Sequence, residues 1–129
     1  MVWSVFDLLT FAPGETIIAE GVVDNHLYIL QDGTVAIEKG GAQVVTLSEK
    51  GTFMGEISAI LGEPRTCSVV AETECDILRL IQTIEEMVEH NPKLTRHLLA
   101  EMARRIKTST EEILQREHQI LTFRSTQWS

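Results

Sequence analysis

Short runs rich in β-branched residues, broken by glycine-bearing turns, occupy residues 4–81. They are Thr16-Ile17-Ile18-Ala19, Leu27-Tyr28-Ile29-Leu30, Thr34-Val35-Ala36-Ile37, Gln43-Val44-Val45-Thr46-Leu47, Cys67-Ser68-Val69-Val70-Ala71 and Cys75-Asp76-Ile77-Leu78-Arg79-Leu80. Such runs favour strands, and Asp32-Gly33 and Gly40-Gly41 have the residue types of hairpin turns. Roughly eight antiparallel strands with no helices alternating between them predict a mainly β fold, a β-roll or jelly-roll barrel. A single helical interruption is expected at residues 56–61, and a helix set between two strands with a loop after it usually serves a site.

Beyond residue 82 the pattern becomes helical. Thr83 is placed to cap a short helix through about His90, with Glu85 and Glu86 in its first turn, and Asn91-Pro92 ends it and starts another. Leu94, Leu98, Met102, Ile106, Ile113 and Ile120, with Ser109 and Arg116 filling the gaps, form a stripe that drifts toward a heptad. A helix of about 28 residues is about 42 Å long and overshoots so small a barrel. Its distal part needs a partner, and a two-fold homodimer is the simplest one. Residues 122–129 lack periodicity and are expected to fray. The organisation read from the pattern is one domain over 1–121, with a roll at about 4–81 and helices at about 83–121, then a tail at 122–129.

With 129 residues, 43% apolar and 23% charged, the chain has the makeup of one globular core. The net charge of −8 disfavours a direct grip on nucleic acid, which needs basic residues to displace counterions. Cys67 and Cys75 lack metal spacing and read as buried thiols in a reducing compartment, the cytoplasm. The N-terminus has no basic region ahead of its apolar residues and soon reaches Pro13-Gly14, so neither a secretory signal nor a membrane span is expected there.

Candidate chemistry is concentrated in Gly55-Glu56-Ile57-Ser58-Ala59-Ile60-Leu61-Gly62-Glu63-Pro64-Arg65-Thr66-Cys67-Ser68-Val69. A glycine before a short helical run lets a ligand approach bare backbone, and the first N–H groups of the run lack partners inside the helix. Arg65 adds a permanent charge whose planar fork suits two phosphate oxygens. Glu56 would repel a phosphate unless it accepts a hydrogen bond from a hydroxyl on the same molecule, as a ribose offers. The plainer readings are that Arg65 pairs with Glu63 or Glu72 at the surface, and that Glu56 complements the helix dipole.

These residues resemble the phosphate-binding cassette of the cyclic nucleotide-binding domain family, with no gap and no key position replaced. Phe11-Ala12-Pro13-Gly14-Glu15-Thr16-Ile17-Ile18-Ala19-Glu20-Gly21 and Leu27-Tyr28-Ile29-Leu30-Gln31-Asp32-Gly33-Thr34-Val35 extend the resemblance, which covers roughly residues 4–121. It implies a roll that binds cAMP or cGMP as its ligand, without a further cofactor, and moves its C-terminal helices in response. Gly55, Glu56, Ile57, Ser58, Arg65, Thr66 and Cys67 would then hold phosphate and ribose, with Thr66 leaving the choice of base open.

The long helix resembles the bacterial catabolite activator branch more than it resembles the family at large. Asn91-Pro92, Glu101-Met102-Ala103-Arg104-Arg105-Ile106 and Lys107-Thr108-Ser109-Thr110-Glu111 carry that likeness. It implies that Val45 and Thr46 wall the base and that Ser109 and Thr110 contact it, one of them across a dimer; ordinary strand positions and a solvated helix face are the alternatives. The family's usual leading helix is expected to be missing or reduced to a strand. With no helix-turn-helix before Ser129, DNA binding is not expected of this polypeptide, although the sensory half of a longer regulator has the same appearance.

Enzymatic readings find little support. His26, His90, His97 and His118 share no metal-ligand spacing, so no metal site is expected. No activated nucleophile, paired catalytic acids or triphosphate loop is present, and no catalytic residue is assigned. A roll that has lost its ligand and serves as a dimerising scaffold is the remaining alternative.

Overall fold

The computed structural model describes residues 5–128, with side chains described for residues 5–120. The chain divides after His90 into two compact units. In the first, eight antiparallel strands form two four-stranded sheets. One sheet has the order β1-β8-β3-β6, from β1 (Phe6–Phe11), β8 (Cys75–Leu80), β3 (Tyr28–Asp32) and β6 (Phe53–Met54). The other has the order β2-β7-β4-β5, from β2 (Thr16–Ile18), β7 (Ser68–Ala71), β4 (Val35–Lys39) and β5 (Ala42–Leu47). This is the antiparallel roll that the alternation of strands and turns predicts.

The inner faces of the sheets meet over Ile17, Ile18, Tyr28, Leu30, Val35, Met54, Val69, Ala71, Cys75 and Ile77, all buried. Removing these side chains from water is the main stabilising contribution, at roughly 1.5–3 kcal/mol for each large aliphatic one.

Gly40-Gly41 closes the hairpin that joins β4 to β5, as the pattern predicts. Asp32-Gly33 does not close a hairpin. It carries the chain from one sheet to the other, beside the turn between β7 and β8 that makes the return crossing. Both Glu72 and Thr73 donate their backbone N–H to the Thr34 carbonyl, and Thr73 Oγ1 accepts the Thr34 N–H at 2.9 Å. Gly33 adopts φ +96°, and a Cβ there would collide with the Glu74 carbonyl oxygen. Two chain crossings lie against each other at this corner, and only glycine fits.

The helix α1 (Glu56–Leu61) stands where the pattern places it, between β6 and β7. The next helix, α2 (Ile84–His90), begins on a reciprocal cap: Thr83 Oγ1 accepts the Glu86 N–H at 3.1 Å and Glu86 Oε1 accepts the Thr83 N–H at 3.4 Å.

The second unit is a single helix, α3 (Pro92–Trp128), capped by the Asn91 side chain at the Leu94 N–H. Its 37 residues make it about 55 Å long. It runs through positions 122–128, where the sequence suggests a fraying tail. No proline or glycine interrupts that stretch, and extending a formed helix adds one hydrogen bond per residue fixed. Leu99, Ile106, Ile113 and Ile120 recur at seven-residue intervals on it, each more than half exposed. No helix among the described residues is long and apolar enough to cross a membrane.

Candidate ligand site

Gly55 stands at φ +71°, the left-handed turn that lets the chain leave β6 and enter α1. The sequence suggests that its missing side chain admits a ligand. In the structure, the bare backbone receives the Arg65 guanidinium. A Cβ on Gly55 would collide with Nη1 of Arg65 and come within 3.2 Å of Ile18 Cδ1.

Arg65 is 3% exposed, which excludes a surface pairing with Glu63 or Glu72. Nη1 donates to the Gly55 carbonyl and, at 2.9 Å, to Ser58 Oγ. Nη2 donates to the His26 carbonyl at 2.6 Å and lies 3.5 Å from Asp24 Oδ2. The guanidinium also lies over the Tyr28 ring, 5.7 Å from its centre, within cation–π range. Nε, equally buried, has no hydrogen-bond partner. A buried donor without an acceptor is costly, so Arg65 carries an unsatisfied N–H beside its engaged Nη groups.

The backbone of the Arg65 segment is held as firmly. Arg65 N–H donates to the Val22 carbonyl at 2.9 Å, and the Arg65 carbonyl accepts the Gly21 N–H at 2.8 Å.

A cavity of about 150 Å³ opens beside this residue, lined by Gly55, Glu56, Ile57, Ser58, Arg65, Thr66 and Cys67 together with Ile18, Ile37 and Val69. Seven of the candidate residues therefore converge on one hollow. Glu56 and Ser58 are buried, and Thr66 is exposed. Cys67 is only half-buried, which corrects its reading as a buried thiol; Cys75 is buried, and both thiols are free. A larger hollow, about 400 Å³, lies toward the other end of α1 near Leu61 and Ile81. No buried charged side chain lines it, so the smaller cavity is the better candidate for an anion.

The floor of the smaller cavity follows from strand register. Ile18 pairs with Val69, Val69 with Ile37, and Ile37 with Val45, a row of β-branched side chains across β2, β7, β4 and β5. Cross-strand partners share a face. Val45, 47% exposed, is thus the outer end of the row whose inner members line the cavity. Thr46 pairs with Ala36 and leaves the sheet on the opposite face, so register separates it from Val45. Ser109 and Thr110 are exposed on α3, and the Thr110 hydroxyl donates back to the Ile106 carbonyl at 2.9 Å.

Asp24 has no counterpart in the sequence reading. Its carboxylate accepts the Tyr28 O–H at 2.7 Å and the His26 backbone N–H at 3.0 Å, besides facing Arg65. Burial works against its ionisation, but those two hydrogen bonds and the guanidinium outweigh it and hold its carboxyl below the ordinary value. Burial, then the bond to Asp24 and its negative charge, push the Tyr28 phenol up to about 12.

A carboxyl depressed in the folded state adds stability at pH values above its unfolded range, and that contribution is lost as pH falls through the folded value. Asp24→Asn should therefore lower stability by about 1–3 kcal/mol at pH 7. Its difference from the wild type should shrink below about pH 4. Urea unfolding at the two pH values would check this, and a pH-independent difference would show that charge on Asp24 does not matter.

Fold and site together define a class, the antiparallel β-roll with a buried cation beside a short helix. The family model for the cyclic nucleotide-binding domain matches residues 8–91. The chain belongs to the cyclic nucleotide-binding domain family. It is 34% identical over 87 residues to potassium/sodium hyperpolarization-activated cyclic nucleotide-gated channel 2 of Mus musculus, covering 67% of this chain and 10% of the channel. It is 35% identical over 107 residues to a cAMP-dependent protein kinase regulatory subunit of Hypocrea atroviridis, covering 80% of this chain and 22% of that protein. The catabolite activator protein of Thermus thermophilus has the same fold, with a TM-score of 0.72 at 24% identity over 85% of this chain and 54% of that one. The names denote a cyclic nucleotide-gated channel, a kinase regulatory subunit and an activator protein, and the chain spans only part of each. Among the described residues no group of histidine, cysteine or acidic side chains could hold a metal ion.

Proposed function

We propose that this chain is a cytoplasmic cyclic nucleotide sensor module, with cAMP as its ligand, that couples binding to movement of its C-terminal helices and is not itself an enzyme. The observation that carries the reading is the buried, positively charged Arg65, with an unpartnered Nε–H, lining one cavity together with Glu56. The phosphate takes the Arg65 side of that cavity, and a ribose hydroxyl donates to Glu56. At about 150 Å³ the cavity is smaller than the ~300 Å³ at which small-molecule pockets begin, so it suits the phosphate and part of the sugar. The base would continue outward along the row that ends at Val45. Adenine is favoured by the likeness to a regulatory subunit whose name carries cAMP.

The exposed heptad of Leu99, Ile106, Ile113 and Ile120 supports a parallel homodimer through α3, which would bring the hydroxyls of Ser109 and Thr110 toward the seam. The net charge of −8 supports an output through protein contact rather than through nucleic acid.

A thermal-shift comparison of cAMP, cGMP and 5′-AMP tests the reading. Ligand at about a hundredfold over Kd should add about 2.7 kcal/mol to stability. The expected order is cAMP above cGMP, with 5′-AMP giving little because its phosphate carries an extra charge into a site with one cation. A flat response to all three would leave the scaffold reading.

A further inference from the structure

The segment that carries Arg65, Thr66 and Cys67 into the cavity lies just outside the sheet. The ladder between β4 and β7 ends at the pair Glu38–Ser68, so Thr66 and Cys67 have no rung of their own. Gly21 and Val22 hold the Arg65 end through the backbone. The Thr66 carbonyl is held by a side chain: Lys39 Nζ donates to it at 2.8 Å.

Lys39 is itself steered. Glu20 Oε1 lies 3.8 Å from its ammonium, while Oε2 accepts the Gly40 N–H at 3.3 Å. The backbone N–H of Glu20 donates to Ser68 Oγ at 2.9 Å, at the first residue of β7. Glu20 and Lys39 therefore tie three pieces together: the stretch after β2, the turn of the β4–β5 hairpin, and the exit of the cassette. The hairpin carries Val45 and the cassette carries Arg65, so the brace spans the two proposed ends of the ligand.

We propose that Lys39 is a positioning residue for cyclic nucleotide binding, acting through the Thr66 carbonyl to hold the 65–67 segment in register with the β4–β5 hairpin. The inference rests on the cyclic nucleotide reading of the cavity, but its mechanical part can be measured without any ligand. The exposed ammonium contributes little to global stability, since surface ion pairs are weak and screened. Its effect is local, on a segment with no ladder bonds.

Cys67, half-buried within that segment, and Cys75, fully buried in the core, are built-in reporters of local and global opening. In ligand-free Lys39→Met, Cys67 should react with a small thiol reagent several-fold faster than in the wild type, while the Cys75 rate stays unchanged. Peptide mass spectrometry reads the two sites separately. Calorimetric titration of the same variant with cAMP should show affinity lowered by about two- to tenfold, the range for one lost hydrogen bond. Lys39→Arg should retain both properties, and Glu20→Gln should show a smaller form of both defects.

Wild-type Cys67 reactivity in Lys39→Met would overturn the proposal. So would equal acceleration at Cys75, which would mean general destabilisation, or a loosened Cys67 with unchanged affinity. Wild-type protein that binds no cyclic nucleotide would instead remove the reading of the cavity, and with it the role assigned to Lys39 in binding.

Discussion

Arg65→Ala is expected to weaken cyclic nucleotide binding by about thirty- to several-thousandfold, equivalent to about 2–5 kcal/mol. The reason is desolvation. The guanidinium is already out of water and already oriented by the carbonyls of Gly55 and His26 and by Ser58, so it is organised before an anion arrives. Removing it leaves a bound phosphate with no counter-charge in a protein whose net charge is −8. It also leaves the His26 carbonyl without its donor and Asp24 without its cation, so the ligand-free protein should lose about 1–3 kcal/mol as well.

Calorimetry on protein shown to be folded by circular dichroism separates the two effects. Arg65→Lys, which keeps the charge and loses the fork, should fall between wild type and alanine in affinity. Glu56→Gln should cost less, about 1–3 kcal/mol, since it disturbs a hydrogen bond to a neutral hydroxyl. Unchanged affinity in Arg65→Ala would place the ligand elsewhere.

Gly33→Ala is expected to cost far more stability than a methyl at an open glycine turn. A left-handed residue with a Cβ costs about 1–2 kcal/mol. The methyl would also meet the Glu74 carbonyl oxygen and lie 2.7 Å from Cys75 Sγ, atoms of a chain crossing that cannot retreat without opening the corner between the sheets. Overpacking of that kind adds about 1–3 kcal/mol. Together these should lower the thermal midpoint by about 10–20 °C. Gly41→Ala provides the control. Its φ of +83° is similar, yet nothing lies within 4 Å of a Cβ there, so only the backbone part should appear. Equal midpoints for the two variants would show that the corner yields.

How much was legible along the chain depended on how local each cause is. The strands that β4, β5, β7 and β8 became are marked by their own β-branched residues, and α1, α2 and the start of α3 by caps and turn residues within a few positions. The two-residue β6 is too short to show a period. Asp32-Gly33 has the composition of a hairpin but performs a crossing, because the same turn residues serve either path and the sheet is chosen by distant partners. Thr46 and Val45 are neighbours in sequence and equally plausible as base contacts. Register puts them on opposite faces.

Asp24 is the clearest case of a residue hidden from sequence. It is one acid in a loop, far along the chain from Arg65, and only the folding of that loop over the cassette brings carboxylate, phenol and guanidinium together. Lys39 is hidden for the same reason, since the carbonyl it holds belongs to the segment ahead of β7, far along the chain.

The sequence by itself determined the roll, the helix set into it, and the fifteen-residue stretch in which an arginine and a carboxylate share a site, because these depend on side-chain pattern and spacing within short windows. Tertiary structure alone decided that Arg65 is buried and already engaged, that its counter-ion is Asp24, and that the cavity floor runs from Ile18 to Val45. Those features depend on which strands become neighbours and in what register, and that is settled by burying one shared core rather than by any local run of residues.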